Sequence, residues 1–313
     1  MNENRLTMED VHKIMKLDTV ESCKKYLDIM LDFYFDIITS PEGQESSSDI
    51  EECGNLWLQT IFSKGCNFYS LLDGFTYNKG ILYLNPIIDF SVLFTIARSL
   101  YESLISFELL YILPKTKDQQ IIVFNLFKAH GLNERLRVLH EEERNKNPEK
   151  ISDEEENINE CKRNIEDTEL YKKLNAQERK TIENAFGRKY HYIFEGDNKL
   201  KGIKYEESFF LLNPQGDILK PLYPLFSLHC HPSYLSLLQF EDAYSEDKRT
   251  DIELSQYATQ CMLAFMSIFI IDYMKINLKV KAIYDSLEES RRFAIGMYED
   301  AMRGENKFTI IRD

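Results

Sequence analysis

Residues 86–114 read PIIDFSVLFTIARSLYESLISFELLYILP, one long apolar run with a proline at each end. Wound as a helix, it carries apolar side chains on most of its circumference, the mark of a helix buried on most sides. Proline is tolerated in a first turn and cannot continue a helix past its end, so Pro86 and Pro114 bound the element. The stretch predicts a central core helix, and such a helix needs other helices around it. One side is polar. Ser91, Thr95, Arg98, Glu102 and Ser106 recur at four-three-four-four spacing and share a face. A glutamate one turn after its basic partner is the weaker orientation for a surface ion pair, and Leu93, Phe94, Ala97, Leu100 and Tyr101 around it are apolar. The pair is therefore expected to be partly buried, where desolvation outweighs attraction unless further groups complete the hydrogen bonds. A second polar segment should meet this face.

Outward from that helix the pattern stays helical. Residues 8–39 place Val11, Ile14 and Met15, then Tyr26, Leu27, Met30, Leu31 and Tyr34 at three-to-four spacing, one helix or two. After the loop at 40–48, Ser48 with Glu51 forms a capping box that opens a helix carrying Leu56, Trp57, Ile61 and Phe62. Residues 75–85 hold one short extended run, and no βαβ alternation follows. The helical period continues over 118–143, then over about 251–275 and 277–303, with Gly304 as the last stop. His130, before Gly131, reads as a helix-end histidine. Between these, 141–181 is dense in mixed charge, and 187–220 is irregular with room for short strands. The fold expected is all-α: a multi-helix bundle with a charged helical excursion and a short irregular or β segment. Residues 1–140 and 200–313 form one helical core, and 141–199 the insertion.

Composition bounds the partners. With 43% hydrophobic residues and 12% aromatics in 313 residues, the chain packs a core. A net charge of −14 disfavours duplex DNA and leaves room for RNA or a nucleotide in a local cleft. Six cysteines without a Cys-x-x-Cys pair fit a reducing cytoplasm. The apolar run 261–271 stops at Asp272, short of the roughly 18 residues that suggest a membrane span. Phosphate loops, dinucleotide glycines, nucleophile elbows and His-Glu-x-x-His pairs are missing, so no cofactor is expected.

The segment that should meet the polar face is YPLFSLHCHPSY, 223–234. Tyr223, Ser227 and His231 are four apart and fall on one side of a helix, and Pro232 forces a kink or break beside His231. Adjacent His229, Cys230 and His231 seldom converge on one ion, so no metal is expected. Candidate catalytic residues are Arg98, Glu102, Ser227 and His231: His231 to transfer a proton, Arg98 to stabilise phosphate charge, Glu102 to orient. A satisfied polar network that only fixes packing would use the same residues.

Two elements, ARSLYES at 97–103 and YPLFSLHCHPS at 223–233, resemble the Arg-Ser-x-x-Glu and Tyr-x-x-x-Ser-x-x-x-His-Pro-Ser motifs of an uncharacterised bacterial all-helical family, over about 85–240. That family looks similar to the HEPN group of helical domains, which includes metal-independent ribonucleases and toxins of conflict systems. The resemblance implies a cytosolic stress or phage-defence protein that cuts RNA without metal. The HEPN ribonuclease signature, Arg and His four to six residues apart, has a match in RLRVLH, Arg135 to His140, expected mid-helix with the side chains about 140° apart. The alternative, of another class, is a non-catalytic helical module for protein interaction or small-ligand sensing. A homodimer or a protein partner fits either.

Overall fold

The computed structural model of the chain describes residues 17, 19–41, 46, 48–140, 146–188, 191–212, 221–231, 233–243 and 249–303. The expectations for residues 8–16, for most of the loop at 40–48, for 141–145, 213–220, Pro232 and Gly304 lie outside these. The protein is all-α apart from two small strand pairs. It divides into two compact units, Met1–Ile105 with Phe209–Asp313, and Ser106–Ser208. The division falls inside the apolar helix, whereas the change in charge along the chain marks residue 141.

In the first unit, α1 (Val20–Thr39) starts at Thr19, whose side chain accepts the Ser22 amide while the Ser22 hydroxyl accepts the Thr19 amide. Its buried stripe, Cys23, Tyr26, Leu27, Met30, Leu31 and Tyr34, has helical period. Helix α2 (Asp49–Leu71) opens at Ser48, which accepts the Glu51 amide at 3.3 Å. Strands β1 (Phe75–Lys79) and β2 (Leu82–Ile87) form an antiparallel hairpin, so the single extended run expected at 75–85 is two paired strands. Its two-residue turn is Gly80–Ile81, with Gly80 at φ 63° and Ile81 on the ordinary side, which only a glycine in first place permits.

Helix α3 (Phe90–Phe107) is the apolar stretch. Leu93, Phe94, Ala97, Leu100, Tyr101 and Leu104 are buried, as the pattern predicted. Its last turn widens to a π-helix over Glu108–Ile112. In the second unit, α4 (Lys117–Val138) packs on α5 (Pro148–Glu166), with α6 (Glu169–Lys173) and α7 (Ala176–Ala185) after it. The described part of the charged segment is thus helical. Strands β3 (Tyr192–Glu195) and β4 (Lys199–Gly202) form a second antiparallel pair. Helix α4 ends at Val138, not near 143, and it continues past Gly131, which makes His130 a mid-helix residue.

Back in the first unit come α8 (Phe209–Leu212), α9 (Leu222–Cys230), α10 (Tyr234–Ala243), α11 (Arg249–Ile276), α12 (Leu278–Asp285) and α13 (Glu289–Arg303). The single helix expected at 277–303 is two. Its corner is held by side chains: Tyr284 Oη donates to the Arg292 carbonyl at 3.0 Å and Arg292 Nη1 to the Asp285 carbonyl at 2.9 Å. Helix α11 is the axis of this unit and packs against α1, α2, α10, α12 and α13. Phe90–Ile112 and Ile252–Ile276 are long and apolar enough to cross a membrane by length and composition. The second contains the apolar run 261–271 and continues past Asp272, because that carboxylate is buried and ion-paired and does not end the helix. Their most apolar windows are 56% and 72% buried inside the protein, as core helices are.

Candidate functional site

The polar face of α3 meets α9. Arg98 Nε donates to Glu102 Oε1 at 2.9 Å, and Arg98 Nη2 donates to the Tyr223 hydroxyl at 3.0 Å. The guanidinium also lies over the Tyr223 ring, 4.9 Å from its centroid. Thr95 donates its one proton to the Ser91 carbonyl at 2.7 Å, so in its 3.4 Å contact with Cys230 Sγ the thiol is the donor. Burial works to lower the Arg98 pKa, but the hydrogen bond and charge of Glu102, with Cys230 and Tyr223, outweigh it and leave it raised.

The row extends to α2. Lys64 Nζ donates to Ser99 Oγ at 2.8 Å, and among the described residues no carboxylate lies within ion-pair distance of it. Burial lowers the Lys64 pKa against the pull of the Glu102 charge. The seam therefore runs Lys64, Ser99, Glu102, Arg98, Tyr223, Cys230, Thr95 across three helices.

Of the residues expected to form the site, Arg98 and Glu102 are joined. Ser227 is half-buried and its hydroxyl has no hydrogen bond among the described residues. His231 is exposed at the end of α9, where its amide bonds the Ser227 carbonyl at 3.1 Å; no hydrogen bond joins its imidazole to Arg98. Helical geometry gives the reason. Seven residues return to within about 20° of the starting direction and eight miss it by about 80°, so Tyr223 pairs with Cys230 across the seam better than with His231. Ser106 lies in the other unit, 3.4 Å from the Tyr205 hydroxyl.

Next to the seam, His229 is buried with its ring stacked on Phe94, centroids 4.4 Å apart. Burial lowers its pKa and the Asp89 charge opposes this. The HEPN-type pair is not assembled as an active pair would be. Arg135 binds Glu154 Oε1 at 2.9 Å, and His140 is exposed beyond the end of α4. Among the described residues no three His, Cys, Asp or Glu side chains converge as metal ligands.

The α3–α9 seam lies inside a stretch recognised by comparison. A family model described as a family of unknown function (DUF5677) matches residues 89–248, just over half of the chain. The chain belongs to this family. The match runs from the Asp89 cap of α3 through α9 and α10, so Arg98, Glu102, Tyr223 and Cys230 are all within the DUF5677 region, while Lys64 lies outside it. No curated protein and no solved structure matches the chain.

Proposed function

We propose that the seam binds a phosphate of RNA, and that the protein is a metal-independent ribonuclease of a cytoplasmic stress or phage-defence system. The charge balance carries this reading. Among the described residues Arg98 and Lys64 stand to one carboxylate, Glu102, a local excess of positive charge in a chain of net charge −14. A surplus cation held away from water gains most from an anionic ligand. In this reading Arg98 and Lys64 hold phosphate oxygens, and Arg98 stabilises charge as it develops. Glu102 fixes the Arg98 side chain. His231, exposed one residue beyond Cys230, exchanges the proton of the ribose 2′-hydroxyl, and the Ser227 hydroxyl donates to the sugar-phosphate.

The test is binding and cleavage of a fluorescent single-stranded RNA at low salt. Arg98→Gln and Lys64→Met should each weaken binding by about tenfold or more, the scale of a hydrogen bond to a charged group. His231→Gln should keep binding and lose cleavage. Wild-type protein that neither binds nor cuts RNA would overturn the reading.

One separate observation favours a second reading, the non-catalytic interaction module. The β1–β2 hairpin leaves Phe75, Tyr77, Ile81, Leu82 and Tyr83 exposed, a large apolar display for so small an element. In that case Ile81→Lys with Leu82→Lys abolishes self-association or partner binding in sedimentation runs, and Arg98→Gln leaves it intact.

A further inference from the structure

Helix α9 carries a buried imidazole that bonds nothing among the described residues. His229 is 5% exposed, its ring lies at 27° to that of Phe94, and among the described residues neither Nδ1 nor Nε2 has a hydrogen-bond partner. Buried polar atoms are nearly always bonded, and leaving one unsatisfied costs roughly 1–3 kcal/mol. A phenylalanine here would stack on Phe94 without that cost. The property histidine adds is the ability to take a proton near neutral pH.

The groups around it decide which form is stable. From α3 comes Asp89, whose carboxylate already caps the helix by accepting the Ser91 and Val92 amides at 2.9 and 3.3 Å. Arg98, further along α3, is a cation and is engaged by Glu102. From α11 come Tyr257, which touches the same Phe94 ring, and Cys261; burial pushes both up to about 12, so neither is an anion at neutral pH. No titratable group of α10 acts on the imidazole. Among the described residues Asp89 is thus the one charge that favours imidazolium, and burial prevails over it.

We propose that α9 is a proton-released latch over the Arg98–Glu102 pair, with His229 as its trigger. Closed, the latch sets Tyr223 and Cys230 on Arg98 and Thr95. Open, the imidazole reaches water and takes a proton from solvent, which the closed form resists. Only the open form gains the proton, so each pH unit below about 6.5 shifts the balance toward it by up to tenfold. The sign follows from a folded-state pKa below the unfolded one: the latch is fully stable above about 6.5 and loses stability as pH falls. Helix α9 is nine residues long, so its release can leave the packing of α11 on α1 and α13 in place. The regulatory meaning rests on the seam being the functional site; the opening itself does not.

Hydrogen exchange by mass spectrometry between pH 7.5 and 5.5, corrected for intrinsic rates, reads the opening directly. Amides of Leu222–Cys230 should lose protection by up to tenfold per unit below about pH 6.5, with those of α11 unchanged. His229→Phe should flatten the profile. Flat protection in wild type down to pH 5.5, or the same slope in H229F, would overturn the latch. Should H229F not fold, an NMR titration of wild-type His229 decides: a ring that titrates at or above 6.5 also overturns it. RNA binding measured at the same pH values separates the two proposals, since opening without binding retains the latch and removes the ligand.

Discussion

Asp272 is an acidic side chain with no exposure, near the C-terminal end of the long core helix α11. Both oxygens of its carboxylate accept from Arg303 of α13, one at 2.8 Å, and Lys275 completes the pairing. Removing the guanidinium leaves the buried carboxylate with Lys275 alone and one oxygen unpaired, so Arg303→Met should cost about 3 kcal/mol in denaturant unfolding. Adding Asp272→Leu should recover much of it, because the double variant buries no charge. At this scale the sequence spoke through spacing. Arg98, Glu102 and Tyr223 were legible because a periodic polar row in an apolar helix must be met by something. Lys64 was not, since it comes from another helix and nothing in its own neighbourhood in sequence marks it. His231 was favoured because it stands four residues from Ser227 and eight from Tyr223, and the turn of the helix assigns the contact to the Cys230 thiol instead. At the ion pair itself, Glu102→Gln should cost about 1–3 kcal/mol, between the surface and buried cases, and should lower the RNA affinity of the seam less than Arg98→Gln does.

Among the elements, α1, α2 and α11 come close together at Gly65 of α2. A Cβ built there would lie 2.8 Å from Leu31 Cδ2 of α1 and 3.0 Å from Met266 Cε of α11. The absent side chain is what lets three helices meet. Gly65→Val should therefore destabilise by about 1–3 kcal/mol through overpacking, read in thermal melting, and Met266→Ala in the same chain should relieve part of it. Caps at Ser48 and apolar periods in α1 and α3 gave those helices away in advance. The hairpin was missed because its turn is Gly80–Ile81 and lacks the Asn-Gly or Asp-Gly pair that signals one most clearly. The α12–α13 corner was missed because residues 285–289 contain no glycine or proline, and the bend is held by Tyr284 and Arg292 instead.

For the whole molecule, all-α class was readable from period alone, while the division into units was not. Charge changes at residue 141, yet packing divides the chain at 105 and 208. Composition reports what faces water; which helices share a core depends on contacts between residues far apart in sequence. Two units with separate cores should give two calorimetric transitions. Arg303→Met should shift one of them, and Arg135→Ala, which breaks the Glu154 pair in the Ser106–Ser208 unit, the other. Coincident shifts in both would mean the chain unfolds as one cooperative body.

The β1–β2 ribbon has a practical bearing as well. Each of its strands has a partner on one side only among the described residues, and Ile81 at the tip is wholly exposed. A ribbon of that kind is a template for stacking unrelated copies edge to edge. Concentrated stocks should turn cloudy through this ribbon first, and a single Ile81→Lys change should raise the clear limit while leaving the melting temperature where it was.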